Sequence, residues 1–195
     1  DRGTAKLFRG MAARINYMGQ DRPDLQYAAR EVCTEMSKPT VERMERLKKM
    51  ARYLVGAEKV IWKMSQWDVD EDPKIEVFVD SDWAKAEDRR SVSGGMAAIG
   101  RVAVKHWSRT QATRALSSGE AEYAALVTGC AEGLGIQGLM KDLGVNWKIK
   151  VWSDSSAARA IAGRREEGRR EEVMIIYCFQ ILIYSFNQNG VLGFW

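Results

Sequence analysis

The sequence has few of the residues that most zinc enzymes and triad hydrolases use. It has one histidine, His106, and three cysteines, Cys33, Cys130 and Cys178, which lie far apart and form no Cys-x-x-Cys pair. A zinc site of the usual Cys/His type is thereby excluded, and so odd and scattered a set of thiols builds no disulfide framework. A Ser-His or Cys-His nucleophile would have to use His106. That residue follows an apolar run, precedes Trp107 and adjoins no acid or nucleophile motif, so it reads as a structural side chain. Glycine has no three-residue period and no long apolar heptad run appears, which excludes collagen-like and coiled-coil architectures. Asp1-Arg2-Gly3-Thr4 carries neither an initiator Met nor the apolar core of a signal peptide. The expectation is a chain that begins inside a longer polypeptide, is not secreted, and resides in a reducing compartment, cytoplasmic or nuclear.

The 195 residues are 46% hydrophobic and 29% charged, as expected for one globular domain with a small flanking piece. Lys plus Arg number 30 against 26 Asp plus Glu, a net charge of +4, and the sequence pI is about 9.0. Basic residues gather at 43–52, 89–90, 101–114 and 164–170. This balance is compatible with a polyanionic partner. On residues 43–52, however, charge reads first as a solvated helix face.

Residues 1–56 read as helical. Pro23 suits a first helical turn, and Leu25, Ala28, Ala29, Val32 and Met36 follow at helix spacing. Thr40 is placed to cap a second helix with the stripe Val41, Met44, Leu47, Ala51 and Leu54, and Gly56 to end it. A short strand candidate at 60–64 and an acidic loop at 68–73 follow. From residue 75 the period becomes two: Ile75, Val77 and Val79 alternate with Glu76, Phe78 and Asp80. Further strands are expected at 94–99 and 102–107, with Gly100-Arg101 as a hairpin turn, then a helix at 118–143, a strand at 149–153 and a helix at 155–162. The order β-β-β-α-β-α predicts an α/β fold, a mixed sheet with helices packed on it.

Three acids stand at junctions of these elements. Asp80 closes the first strand, Glu122 is expected in the first turn of the long helix, and Asp154 closes the last strand. Each has an ordinary structural role open to it: a turn, a helix-dipole contact, a cap. Together, at one sheet edge, they would repel one another unless cations sat between them. Hard oxygen ligands without His or Cys favour Mg²⁺, with Mn²⁺ as the alternative. Two such ions would activate a water and stabilise a leaving oxygen in phosphodiester cleavage. Ser117 and Glu120 have capping-box spacing, so Glu120 is assigned to the cap and Glu122 to metal. Asp82 is expected beyond the strand end, in a turn or supporting the site.

Several motifs carry a resemblance. These are Asp80-Ser81-Asp82-Trp83-Ala84, Arg89-Arg90-Ser91-Val92-Ser93-Gly94, Trp107-Ser108-Arg109-Thr110-Gln111, Leu116-Ser117-Ser118-Gly119-Glu120-Ala121-Glu122-Tyr123 and Ser153-Asp154-Ser155-Ser156-Ala157-Ala158. In this order they resemble the ribonuclease H domain of copia-type retrotransposon Pol polyproteins, over about residues 7–165. Asn16-Tyr17-Met18, Arg22-Pro23-Asp24-Leu25 and Arg52-Tyr53-Leu54-Val55-Gly56 resemble the segment that joins reverse transcriptase to that domain. The resemblance implies an RNase H-like fold and Mg²⁺-dependent cleavage of the RNA strand of an RNA–DNA hybrid. It matches Asp80, Glu122 and Asp154 to the family's first three catalytic, metal-binding acids. The implied partners are the hybrid and the reverse transcriptase portion of the same polyprotein. Arg109 and Arg114 are placed to touch phosphates, and Ser91, Ser93 and Gln111 to bond sugar or phosphate oxygens. Such hybrids are read by backbone and 2′-hydroxyl contacts, not by sequence.

The expected organisation is a helical connection segment at 1–58, an RNase H-like domain at 59–165 and an atypical tail at 166–195. The family supplies a fourth acid near its end, whereas no Asp or His follows Asp154 here. In that place stand a Gly-Arg-Arg-Glu-Glu sequence written twice, at 163–172, and an uncharged stretch, 173–195. Nothing in the spacing of Glu166, Glu167, Glu171 or Glu172 makes them substitutes. The apolar run at 173–186 falls short of the ~20 residues of a spanning helix, so no membrane partner is expected. The competing functional reading is an inactive retroelement remnant that at most binds nucleic acid.

Overall fold

The computed structural model describes residues 2–34, 36–62, 74–84, 88–100 and 102–163, which fall into two compact units, Asp1–Trp62 and Lys63–Trp195. The first unit is helical: α1 (Arg2–Met18), α2 (Pro23–Cys33) and α3 (Val41–Gly56). Proline opens α2, where its missing N–H costs nothing, and the Thr40 hydroxyl caps α3 by accepting from the Arg43 N–H at 3.3 Å. Phe8, Ala12 and Ile15 of α1 pack with Leu25, Ala29 and Val32 of α2 and with Leu47 and Met50 of α3. The expected stripe of α3 is buried at Leu47, but Val41, in the first turn, projects into solvent. Met36 packs on the cluster from beyond α2, which ends at Cys33.

One polar network ties this unit together. Asp24, nearly buried, binds Arg22 at 2.6 Å and accepts from the Tyr53 hydroxyl at 3.0 Å, while Arg22 also donates to the Ala57 carbonyl at 3.1 Å. Burial alone would raise the Asp24 pKa, but the bonds from Arg22 and Tyr53 outweigh it and hold the carboxyl below its ordinary value.

The second unit contains β1 (Lys74–Asp82), β2 (Val92–Ile99), β3 (Val102–Thr110), α4 (Ser118–Asp142), β4 (Lys148–Trp152) and α5 (Ser156–Gly163). Its sheet has the order β3-β2-β1-β4. β1 and β3 run antiparallel to β2, and β4 runs parallel to β1 with Val77 opposite Val151 and Phe78 opposite Trp152. This is an α/β unit with a mixed four-stranded sheet and flanking helices, consistent with an RNase H-like fold. A parallel pair needs a long crossover, and α4 supplies it.

Alternation along β1 sends Ile75, Val77 and Val79 into the core, where they meet Ala125 and Leu126 of α4 and Val151 of β4. The helix lies very close to the strands. A Cβ at Gly129 would stand 2.3 Å from Val79 Cγ1, and one at Gly133 would stand 3.0 Å from Ile149 Cγ2. Gly135 and Gly138 have no such neighbour. The helix stops in a Schellman turn: Gly144, at φ +82, takes the left-handed conformation, and Val145 N–H donates to the Met140 carbonyl at 2.8 Å.

Two expectations need correction. β1 continues through Asp82, which pairs with Val92, so Asp82 lies inside the strand. Residues 60–62 are not a strand. The remainder of that strand candidate, the acidic loop at 68–73, Arg101 of the hairpin turn and everything from residue 164, including the atypical tail, lie outside the described residues. Among the described residues Cys33 and Cys130 are free thiols, and no helix is long and apolar enough to cross a membrane.

The two kinds of helical glycine are expected to respond oppositely to a methyl group. Gly129→Ala forces the stiff Val79 side chain aside and should cost about 1–3 kcal/mol in urea unfolding. Gly135→Ala meets open space and should stabilise by up to about 1 kcal/mol. Equal effects at the two positions would contradict this packing.

Candidate metal centre

The strand register brings two of the acids to one place. The parallel β1–β4 ladder ends at Phe78 opposite Trp152. Asp80 and Asp154 each lie two residues past that last pair, which puts them at the same end of the ladder, Asp80 still paired with Gly94 of β2. The third acid comes from α4. Ser117 is the N-cap, its hydroxyl accepting from the Glu120 N–H at 3.2 Å. Glu120 turns back on itself, accepting from the Leu116 N–H at 2.7 Å, one residue before the amide a capping box uses. Glu122 stands two residues further along, in the second turn rather than the first.

One carboxylate oxygen from each of Asp80, Glu122 and Asp154 lies within 4.8 Å of the others. Asp80 and Glu122 are half-buried and Asp154 is exposed. Burial pushes the Glu122 carboxyl up to about 7, and repulsion from Asp80 and Asp154 adds to it, while neighbouring Ser81 pulls the other way. Asp80 is also raised, first by burial and further by Asp154 and Asp82. The Ser81 N–H, 2.8 Å from Asp80 Oδ1, opposes that shift. Glu122 Oε2 and Ser81 Oγ are buried without completing a hydrogen bond of good geometry.

A divalent cation fits this arrangement on chemical grounds. The donors are all carboxylate oxygens, which suit Mg²⁺ or Mn²⁺. Burial first, and like-charge repulsion second, disfavour the ionised forms of Asp80 and Glu122, and Glu122 Oε2 is buried without a hydrogen bond of good geometry, so a cation there would offset both effects. Asp80, Glu122 and Asp154 are the residues that would hold the ion.

The residues expected to touch nucleic acid divide into two groups. Ser91, Ser93 and Gln111 are buried. Ser91 Oγ accepts from the Ala84 N–H at 3.2 Å, and Gln111 Nε2 donates to Ser93 Oγ at 2.9 Å and to the Ala121 carbonyl at 2.8 Å. These three spend polar groups on the protein itself. Arg109 and Arg114 are at the surface. Arg109 binds Glu132 at 2.6 Å, beside a Lys105–Glu132 ion pair, and Arg114 donates to the Asp88 carbonyl at 2.9 Å.

Sequence reasoning missed Ser81, although strand alternation pointed to it: Val77 and Val79 face α4, and Ser81 continues that series. It also missed Glu132, whose partners on β3 are 23 and 27 residues away and leave no local signal.

No protein-family model matches the chain. It is 34% identical over 129 residues to the uncharacterized mitochondrial protein AtMg00810 of Arabidopsis thaliana, covering 64% of this chain and 51% of that protein. It is 28% identical over 139 residues to the retrovirus-related Pol polyprotein from transposon RE1 of the same plant, covering 71% of this chain and 9% of the polyprotein. The Pol polyprotein from transposon RE2 matches to the same extent. The chain thus spans about half of the first relative and about a tenth of the polyproteins. This likeness, over so much of the chain's own length, supports a retroelement-derived protein similar to a region of retrotransposon Pol polyproteins.

Proposed function

We propose that the chain is the ribonuclease H part of a copia-type retrotransposon polyprotein, hydrolysing the RNA strand of RNA–DNA hybrids with Mg²⁺. The observation that carries this reading is the meeting of Asp80, Glu122 and Asp154 within 4.8 Å at one end of the sheet. Their order along the chain, strand end, helix start, strand end, supports it. Divalent ions bound there supply Lewis-acid charge for activating water and stabilising the leaving oxygen. The chain's own part is to hold three carboxylates in place, and to let Glu122 keep a proton near neutral pH until a cation relieves the repulsion. Arg109 and Arg114 offer positive charge to the phosphates of the incoming hybrid, whose A-form backbone is recognised without base readout. The reverse transcriptase portion of the same polyprotein is the proposed source of the hybrid.

The inactive-remnant reading has one specific support, the lack of any Asp or His after Asp154. Cleavage assays separate the two. The full chain should cut the RNA of a hybrid in Mg²⁺ or Mn²⁺, and Asp80→Asn, Glu122→Gln or Asp154→Asn should each lose roughly 100-fold or more. Absence of cutting in both metals would leave the remnant reading standing.

The raised Glu122 carboxyl makes a second, independent prediction. In the folded protein it releases its proton near 7 rather than near 4.5, so folding favours the protonated form. Stability in EDTA should therefore fall as pH rises from about 4.5 to about 7. Glu122→Gln should flatten that fall, raising the melting temperature at pH 8 and leaving it unchanged at pH 4. Mg²⁺ should stabilise the wild type more at pH 8 than at pH 5.5, since it competes with the proton. A pH-independent Mg²⁺ effect would count against the three acids as its site.

A further inference from the structure

We infer that Gln111 is a positioning residue, whose side-chain amide sets where Glu122 stands relative to Asp80. The inference rests on the reading of the three acids as a metal centre. Gln111 follows directly on β3, and its backbone N–H donates to the Ser91 carbonyl at 2.8 Å, which anchors the residue to the sheet. The residue is only 8% exposed. Both hydrogens of an amide NH₂ can be donated, and both are used here: one to Ser93 Oγ at 2.9 Å, the other to the Ala121 carbonyl at 2.8 Å.

One acceptor, Ala121, belongs to α4, which carries Glu122; the other, Ser93, belongs to β2, the strand paired with the β1 that carries Asp80. Ser93 lies opposite Ser81 in the β1–β2 ladder, one pair beyond Asp80 opposite Gly94. Ala121 is fully buried and immediately precedes Glu122. A helix resting on a flat apolar surface can rotate or slide without losing much contact, because hydrophobic burial is non-directional. A hydrogen bond from the sheet to one carbonyl in the first turns removes that freedom. Rotation by one residue would carry Glu122 round the helix and away from Asp80.

The side chain is also kept at a cost. Gln111 Oε1 is buried and has no hydrogen-bond partner. An apolar residue of the same shape would avoid that penalty. The Gln earns its place through the two donated bonds. Ser91 extends the brace, accepting from the Ala84 N–H just past the end of β1.

The test compares Gln111→Met, which keeps the shape and removes both donors, with Leu126→Ala, which weakens the packing of α4 on the sheet without touching this bridge. Mg²⁺ affinity of the full chain is measured by calorimetry without nucleic acid, and melting temperature and the crystal structure of each variant are determined alongside. Gln111→Met should bind Mg²⁺ about tenfold more weakly and show the three carboxylates spread beyond 4.8 Å. Leu126→Ala should lower the melting temperature and leave both quantities unchanged. If Gln111→Met fails to fold, Ser93→Ala removes one of the two acceptors and should weaken Mg²⁺ binding in the same direction. A Gln111→Met protein that melts lower but keeps wild-type Mg²⁺ affinity and carboxylate spacing would overturn the inference. Failure of the wild type to bind Mg²⁺ would refute the metal centre itself. The crystallographic spacing would then still decide on Gln111: unchanged overturns it, widened supports it.

Discussion

Three carboxylates within 4.8 Å repel one another, and the rest of the site is organised around that fact. At an effective dielectric of about 20, each ionised pair at this range costs roughly 3 kcal/mol. Flexible elements would relax and separate the charges. Here Asp80 and Asp154 are held by a parallel ladder that ends two residues before each of them. Glu122 is held by a helix pressed onto the sheet. Burial pushes the Glu122 carboxyl up to about 7, and repulsion from Asp80 and Asp154 adds to that shift, so protonation gives partial relief. A cation would relieve the same strain without a proton.

The closeness of α4 to the sheet is a matter of volume. Gly129 and Gly133 lie where any Cβ would strike Val79, Val77 or Ile149. Glycine lowers helix propensity by about 1 kcal/mol at each position, and apolar burial against β1 and β4 offsets the loss. The approach brings the N-terminal turns of α4, and with them Glu122, to the sheet end. Gly135 and Gly138 provide no such approach, since a Cβ at either would meet open space.

The helical unit illustrates another relation between motif and structure. Arg22-Pro23-Asp24 and the Tyr53 segment are about thirty residues apart, and nothing local in the sequence shows that they touch. In the structure, Asp24 takes bonds from Arg22 and Tyr53 at once, and Arg22 reaches on to Ala57. A buried carboxylate needs such partners to remain ionised, so the two segments constrain each other.

The sequence alone determined the element order, because hydrophobic period is a local property: two along β1, near 3.6 along α2 and α3. It determined the caps at Thr40 and Ser117, since a cap is read over three residues. It also singled out Asp80, Glu122 and Asp154 by their places at element ends. Tertiary structure decided the rest. Which face of a strand meets a helix made Ser81 a neighbour of Glu122. Packing buried Ser91, Ser93 and Gln111 and gave their side chains partners within the protein. Bonds between residues distant in sequence, Gln111 to Ala121 and Glu132 to Lys105 and Arg109, exist only once the sheet has been closed by its helix. Periodicity reports what each residue turns toward, but only packing reveals what it finds there.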